Sequence, residues 1–164
     1  MSLNQSFIGE LEQEAKNTKK ILERVPFEKR DWKPHEKSTP LGRLATHIAE
    51  LPRVISGLIR IGEFDVAGPN NKPGVVSSTS ELFNVFDENH NKAVNVLRNV
   101  TDDELMKDCI LRRGERIIFT MPKIIALRPA INHIIHHRGQ LSVYLRLLDV
   151  PLPFIYGPTA DEPA

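Results

Sequence analysis

The sequence predicts an all-α fold, a four-helix bundle with long connections, occupying residues 1–164 as a single domain. Three observations carry this expectation. Four long segments repeat apolar residues at the three-to-four spacing of an amphipathic helix. No stretch sustains the apolar–polar alternation of a half-buried strand. A chain of 164 residues, 40% of them hydrophobic, can also bury a sizeable core without disulfides.

The first helix is expected from about Leu3 to Arg24, with Leu3, Phe7, Leu11, Ala15, Thr18 and Leu22 as its apolar stripe. Val25-Pro26 ends it, because the residue before proline avoids helical backbone angles. Residues 26–40 carry three prolines and read as a loop, with Trp32 packed as a lid over one end of the core. Ser38 or Thr39 caps the second helix, and Pro40 lies in its first turn. That helix runs to about Ile61 on the stripe Leu44, Ile48, Leu51, Ile55 and Leu58, kinked at Pro52.

Gly62 to Ser78 is expected as an exposed connection. A third helix follows from Thr79 to Asn99, capped by Ser78 or Ser80, with His90 among polar neighbours and facing solvent. Thr101-Asp-Asp-Glu-Leu reads as a capped turn, and Cys109 to Thr120 as an irregular or short extended excursion around RRGER. The last helix starts at Thr120 with Pro122 in its first turn. Pro129 kinks it or begins its main segment, and it ends before Pro151.

Charge is nearly balanced, with 22 Lys and Arg against 21 Asp and Glu. That gives no electrostatic reason to expect nucleic acid or a membrane surface as partner. No span approaches the roughly 20 apolar residues of a membrane helix, and the charged N-terminus is no signal peptide. A soluble, cytoplasmic protein is expected. The single cysteine, Cys109, excludes an intramolecular disulfide and a cysteine-rich zinc site, and it lacks an adjacent histidine to activate it as a nucleophile.

The chemistry concentrates in Ile131 to Arg146, INHIIHHRGQLSVYLR, which holds three of the six histidines. At about 100° per residue, His137 falls about 40° from His133, so the two imidazoles stack on one face at the margin of the core. His136 points further out. His47 lies between Leu44 and Leu51 on the inward side of the second helix. Three neutral imidazoles from two helices suit one divalent cation such as zinc, nickel or iron(II), with coordination positions left open for water or substrate. The plainer alternative is a pair of polar residues on a helix flank. HExxH and paired Glu-x-x-His are both absent, which removes the zinc-protease and di-iron patterns. Glu50, His136 and Tyr144 are the nearest candidates for a catalytic base; Glu50 reads equally well as a solvated helix charge.

LGRLATHIAEL in the second helix and NHIIHHRGQLSVYLRLLDVPLPFIYGP near the end resemble the DinB/YfiT-like superfamily. The resemblance covers nearly the whole chain in helix order. It implies a four-helix bundle holding one divalent metal through His47, His133 and His137. Arg138 and Gln140 would then be structural polar groups, and Gly139 would permit close helix approach. It also implies a metal-dependent enzyme acting on a small molecule. The metal would activate water, giving a hydrolase, or a low-molecular-weight bacterial thiol, giving a thiol S-transferase. The alternative is a non-catalytic metal- or ligand-binding stress protein. Relatives are often dimeric, so a homodimer is expected.

Overall fold

The computed structural model describes residues 2–71, 74 and 76–163. Its element order is α1 (Leu3–Leu22), α2 (Leu41–Glu50), α3 (Pro52–Arg60), β1 (Glu63–Asp65), α4 (Thr79–Asn99), α5 (Asp102–Leu105), β2 (Asp108–Arg113), β3 (Arg116–Pro122) and α6 (Lys123–Leu147), with short 3-10 turns at Phe27–Lys29 and Pro69–Asn71. Among the described residues, no helix is long and apolar enough to cross a membrane.

The helix boundaries follow from local chemistry. Ser78 caps α4, its hydroxyl accepting from the Glu81 N–H at 3.2 Å, while the Glu81 carboxylate takes the Ser77 N–H at 2.8 Å. Thr101 caps the single turn of α5 in the same way. Pro52 separates α2 from α3, yet Leu51 keeps helical angles, so the pair is one helical run with a proline joint. Pro52 has no N–H to offer Ile48, and the Ile48 carbonyl instead accepts from Leu51 at 3.3 Å, a tightened turn. Beyond α6, Asp149 adopts φ 58° and the Val150 N–H returns to Leu145 O, a left-handed helix stop.

Four helical units make the bundle: α1, α2 with α3, α4, and α6. Both α1 and the α2–α3 unit pack against α4 and against α6, giving the order α1, α4, α2–α3, α6 around the axis. The sequence-adjacent units α1 and α2 therefore lie diagonally, as do α4 and α6. The long connections carry the chain across those diagonals. Leu11, Leu22, Leu41, Ile48, Leu82, Phe86, Leu97, Leu127, Leu141 and Leu145 form the core. Each fully buried side chain of this size stabilises the fold by roughly 1.5–3 kcal/mol relative to exposure.

The all-α expectation needs correction, because a three-stranded sheet of order β1-β2-β3 flanks the mostly helical bundle. β2 and β3 form an antiparallel hairpin turning at Gly114, whose φ of 59° suits the residue, and β1 pairs parallel to β2. The extended excursion around RRGER is thus this hairpin. Residues 120–122, expected inside the last helix, complete β3, and α6 starts directly after Pro122. The sheet packs on α3 and α6 through a second apolar cluster of Leu58, Cys109 and Ala126, joined by Phe64, Phe119 and Met121. Gly57 makes this possible: a Cβ there would stand 2.5 Å from the Phe64 ring.

Candidate metal centre

His47 on α2 and His133 and His137 on α6 converge at the edge of the α2–α6 contact, one ligating nitrogen from each lying within 4.8 Å of the others. The two α6 rings lie side by side as the i, i+4 spacing requires, tilted by 43°, with Nε2 atoms 2.8 Å apart and centroids 4.6 Å apart. The His47 ring meets them edge-on, with centroids 4.7 Å from His137 and 5.5 Å from His133. His47 is held there because Leu44, Ile48 and Leu51 bury the adjacent positions of its helix.

The electrostatics favour lone pairs at this point. Burial, reinforced by the His137 and His133 rings and by Arg43 and Arg53, lowers the pKa of His47 to about 4. Burial also leads the downward shifts of His133 and His137. All three rings are therefore neutral at pH 7. Gln140 Oε1 accepts from His137 Nδ1 at 2.7 Å, which leaves the His137 Nε2 lone pair directed at His133 and His47. Three neutral nitrogens and no carboxylate or thiolate within the group, among the described residues, form a donor set that fits a first-row divalent cation with open coordination positions.

Three cavities meet at the histidines. One of about 480 Å³ is bounded by Lys37, Thr39, Arg43, Gln140 and Tyr144, with His47 and His137 at its base. A second, of about 530 Å³, runs from His47 and His133 past Glu50, Arg53 and Arg113 to Phe64 and Leu111. The third, of about 460 Å³, joins His133 and His136 to Leu58 and Phe119.

The remaining sequence-derived candidates take distinct positions. Glu50 is buried and enclosed: Arg43 donates to its Oε2 at 3.0 and 3.1 Å, Arg53 stands 3.7 Å from the same oxygen, and the Gly74 N–H donates to Oε1 at 2.7 Å. It is no solvated helix charge. Tyr144 donates to Thr39 O at 3.1 Å and meets the Trp32 ring edge-on at 5.8 Å. Trp32 thus braces a cavity wall. His136 is exposed, its ring 5.0 Å from that of His137, and stands outside the ligand group.

Arg138 is a structural polar group as expected, and two further readings, on Gly139 and His90, change. Arg138 points away from the histidines into the bundle, where it pairs with Glu14 at 2.6 Å, donates to Thr18 Oγ1 at 3.3 Å and contacts the Tyr156 hydroxyl. It locks the rotation of α6 against α1. Gly139 is not a close-approach site, since a Cβ there would meet nothing within 4 Å. His90 does not face solvent: it stacks on Phe86 at 5.8 Å, its Nε2 is enclosed without a partner among the described residues, and burial lowers its pKa. Cys109 is fully buried, and burial pushes its thiol pKa up, leaving it unreactive.

Sequence reasoning missed the arginines. Arg43, His47 and Glu50 fall at i, i+4 and i+7, one face of α2, with Arg53 three residues beyond, so that signal was present. Arg113 reaches the cavity only through the hairpin.

In sequence the chain is 26% identical over 156 residues to the uncharacterized protein YrdA of Bacillus subtilis, covering 95% of this chain and 89% of that protein. Among solved structures it is similar to the DinB-like protein YjoA of Bacillus subtilis, with 22% identity, 92% and 97% of the two chains covered and a TM-score of 0.71. A DinB-like protein from Bacillus cereus gives 25% identity, 93% and 97% coverage and a TM-score of 0.71. YfiT from Bacillus subtilis, described as a probable metal-dependent hydrolase with an unusual four-helix bundle topology, gives 15% identity, 90% and 88% coverage and a TM-score of 0.65. The DinB family model matches residues 1–164, and the chain belongs to the DinB family.

Proposed function

We propose that the protein is a metal-dependent enzyme acting on a small molecule, with His47, His133 and His137 holding one divalent cation, zinc, nickel or iron(II). The observation that carries this reading is the convergence of three neutral imidazole nitrogens from α2 and α6 beside open cavities. The description of YfiT, which shares the fold, as a probable metal-dependent hydrolase supports it. A divalent cation bound there supplies Lewis acidity, bringing the pKa of a coordinated water or thiol towards neutrality. Activated water makes the reaction a hydrolysis; an activated low-molecular-weight thiol makes it S-transfer to an electrophile.

The chain's own residues do the rest. Gln140 holds the His137 tautomer. Glu50 fixes the Arg43 guanidinium beside His47. Trp32 and Tyr144 stiffen the wall opposite. Of the three candidate bases, His136 alone has an exposed ring with no hydrogen bond among the described residues, which supports it as the group that would take a proton from a nucleophile in the neighbouring cavity.

Metal analysis of protein prepared without an affinity tag tests the proposal. Wild type should carry close to one equivalent of metal after incubation with zinc, nickel or iron(II), and His47→Ala should lose it. Equal metal in both proteins, or none in wild type, would sink the three-histidine centre. The absence of any chelator-sensitive rate with electrophile–thiol or ester probes would sink the enzymatic part.

A further inference from the structure

The cavity of about 530 Å³ that shares His47 and His133 with the centre is chemically lopsided. Arg43, Arg53 and Arg113 line it, and Glu50 is the one carboxylate among its lining residues. With the histidines neutral, three guanidinium charges against one carboxylate leave two formal positive charges.

Glu50 is already engaged at both oxygens. Its Oε2 takes both Arg43 donors and its Oε1 takes the Gly74 N–H. Arg53 stays 3.7 Å from the same Oε2 and makes no hydrogen bond among the described residues, although about three-quarters of its side chain is out of water at 26% exposure. Burial lowers its pKa, Glu50 opposes that, and Arg43 lowers it further, so this guanidinium is short of negative charge. The Arg113 side chain, exposed at the end of β2, has neither an ion pair nor a hydrogen bond among the described residues. The carboxylates of β1 give no relief. Glu63 and Asp65 alternate with Phe64 onto the other face of the strand, where both pair with Arg112.

Apart from Asn71 and the two histidines, the rest of the wall is apolar, with Phe64, Val66, Leu111 and Ile118 among its residues. Arg53 thus shares one carboxylate with Arg43, and Arg113 has none among the described residues, so a ligand oxyanion can supply the missing counter-charge. The planar donor fork of a guanidinium matches the paired oxygens of a carboxylate or phosphate.

We infer that the substrate of this centre is an organic oxyanion, a carboxylate or phosphate held by Arg53 and Arg113, with an apolar body lying on Phe64 and Leu111 and its reacting group directed at the three histidines. The inference rests on the metal-enzyme reading for the last clause only. Arg43, tied to Glu50, sets the near edge of the anion subsite. The apolar wall then selects anions with an aromatic or branched body over small inorganic ones.

The test is calorimetric titration of zinc-loaded protein at low ionic strength with phenylacetate, phenyl phosphate and the neutral phenylacetamide. One or both anions should bind at least about tenfold more tightly than the amide, and the tighter of the two identifies the oxyanion. Arg113→Gln, a change at an exposed strand end, should weaken the anion about tenfold while zinc affinity, read by chelator competition, stays at the wild-type value. Arg53→Gln should do the same. Equal affinity for anion and amide would overturn the inference. So would wild-type anion affinity in both variants, which would make the anion a zinc ligand only. If wild type binds no zinc, the metal-enzyme reading fails by itself. The same titrations on metal-free protein still decide the arginine subsite, through retained or lost preference for the anion.

Discussion

Gln140 Oε1 and His137 Nδ1 stand 2.7 Å apart on successive turns of α6, so the hydrogen bond that orients one member of the histidine trio comes from the same helix that carries it. Such partners of ligating imidazoles typically contribute 10–100-fold to metal affinity. Gln140→Leu should therefore weaken zinc binding by about 10–100-fold in chelator competition, without altering the far-ultraviolet circular dichroism. Unchanged affinity would show that the bond orients nothing of consequence.

The metal-free protein should lose stability as pH falls from about 6.5 to about 4. His47 has its folded pKa lowered to about 4 from an ordinary 6.5, and His133, His137 and His90 shift the same way. Between those values the unfolded chain binds protons that the folded chain refuses, so unfolding free energy rises with pH across the window and levels off above it. Urea midpoints at a series of pH values measure this. His47→Gln should flatten the slope, and an unchanged slope would locate the effect elsewhere.

Breaking the Arg138–Glu14 pair should be severe. Both side chains are buried, and the pair links α6 to α1 with Thr18 and Tyr156 as further partners. Arg138→Met leaves a buried carboxylate without its cation, a loss of about 3–5 kcal/mol. Glu14→Gln with Arg138→Met together should cost less than the two changes summed. Chemical denaturation of the four proteins reads the coupling directly.

Two glycines should respond in opposite directions. Gly57→Val drives a branched side chain into the Phe64 ring, and overpacking of this kind costs about 1–3 kcal/mol. Gly139→Ala, in a helix interior with open space at the Cβ position, should stabilise by about 0.5–1 kcal/mol. Thermal unfolding separates the two, and a stabilising Gly57→Val would contradict the packing of β1 on α3.

The helices were legible because each buries a single stripe. The bounds of α4, its Ser78 cap, and the joint at Pro52 all follow from local residue chemistry. The histidine trio was legible in two parts, a side-by-side pair and an inward-facing partner. The sheet was not. Both Ile117 and Ile118 of β3 are exposed, at 57% and 50%, while Arg112, Arg113 and Arg116 interrupt the apolar run, so no alternation marks the strands. Arg113 was invisible for the same reason. His90 misled because its sequence neighbours are polar, and the packing that covers it comes from elsewhere in the fold.

The order of helices around the bundle also has a kinetic meaning. His47 lies in the first third of the chain and His133 and His137 in the last, on two helices that pack directly against each other although α4 lies between them in sequence. Closing a loop of that length is an entropic cost met late, when non-local contacts accumulate. A nascent chain has no three-nitrogen trap until its final long helix docks. On the proposed reading, capture of an ion by this trio would report completed assembly, and an ion so held would raise the barrier to peeling α6 away.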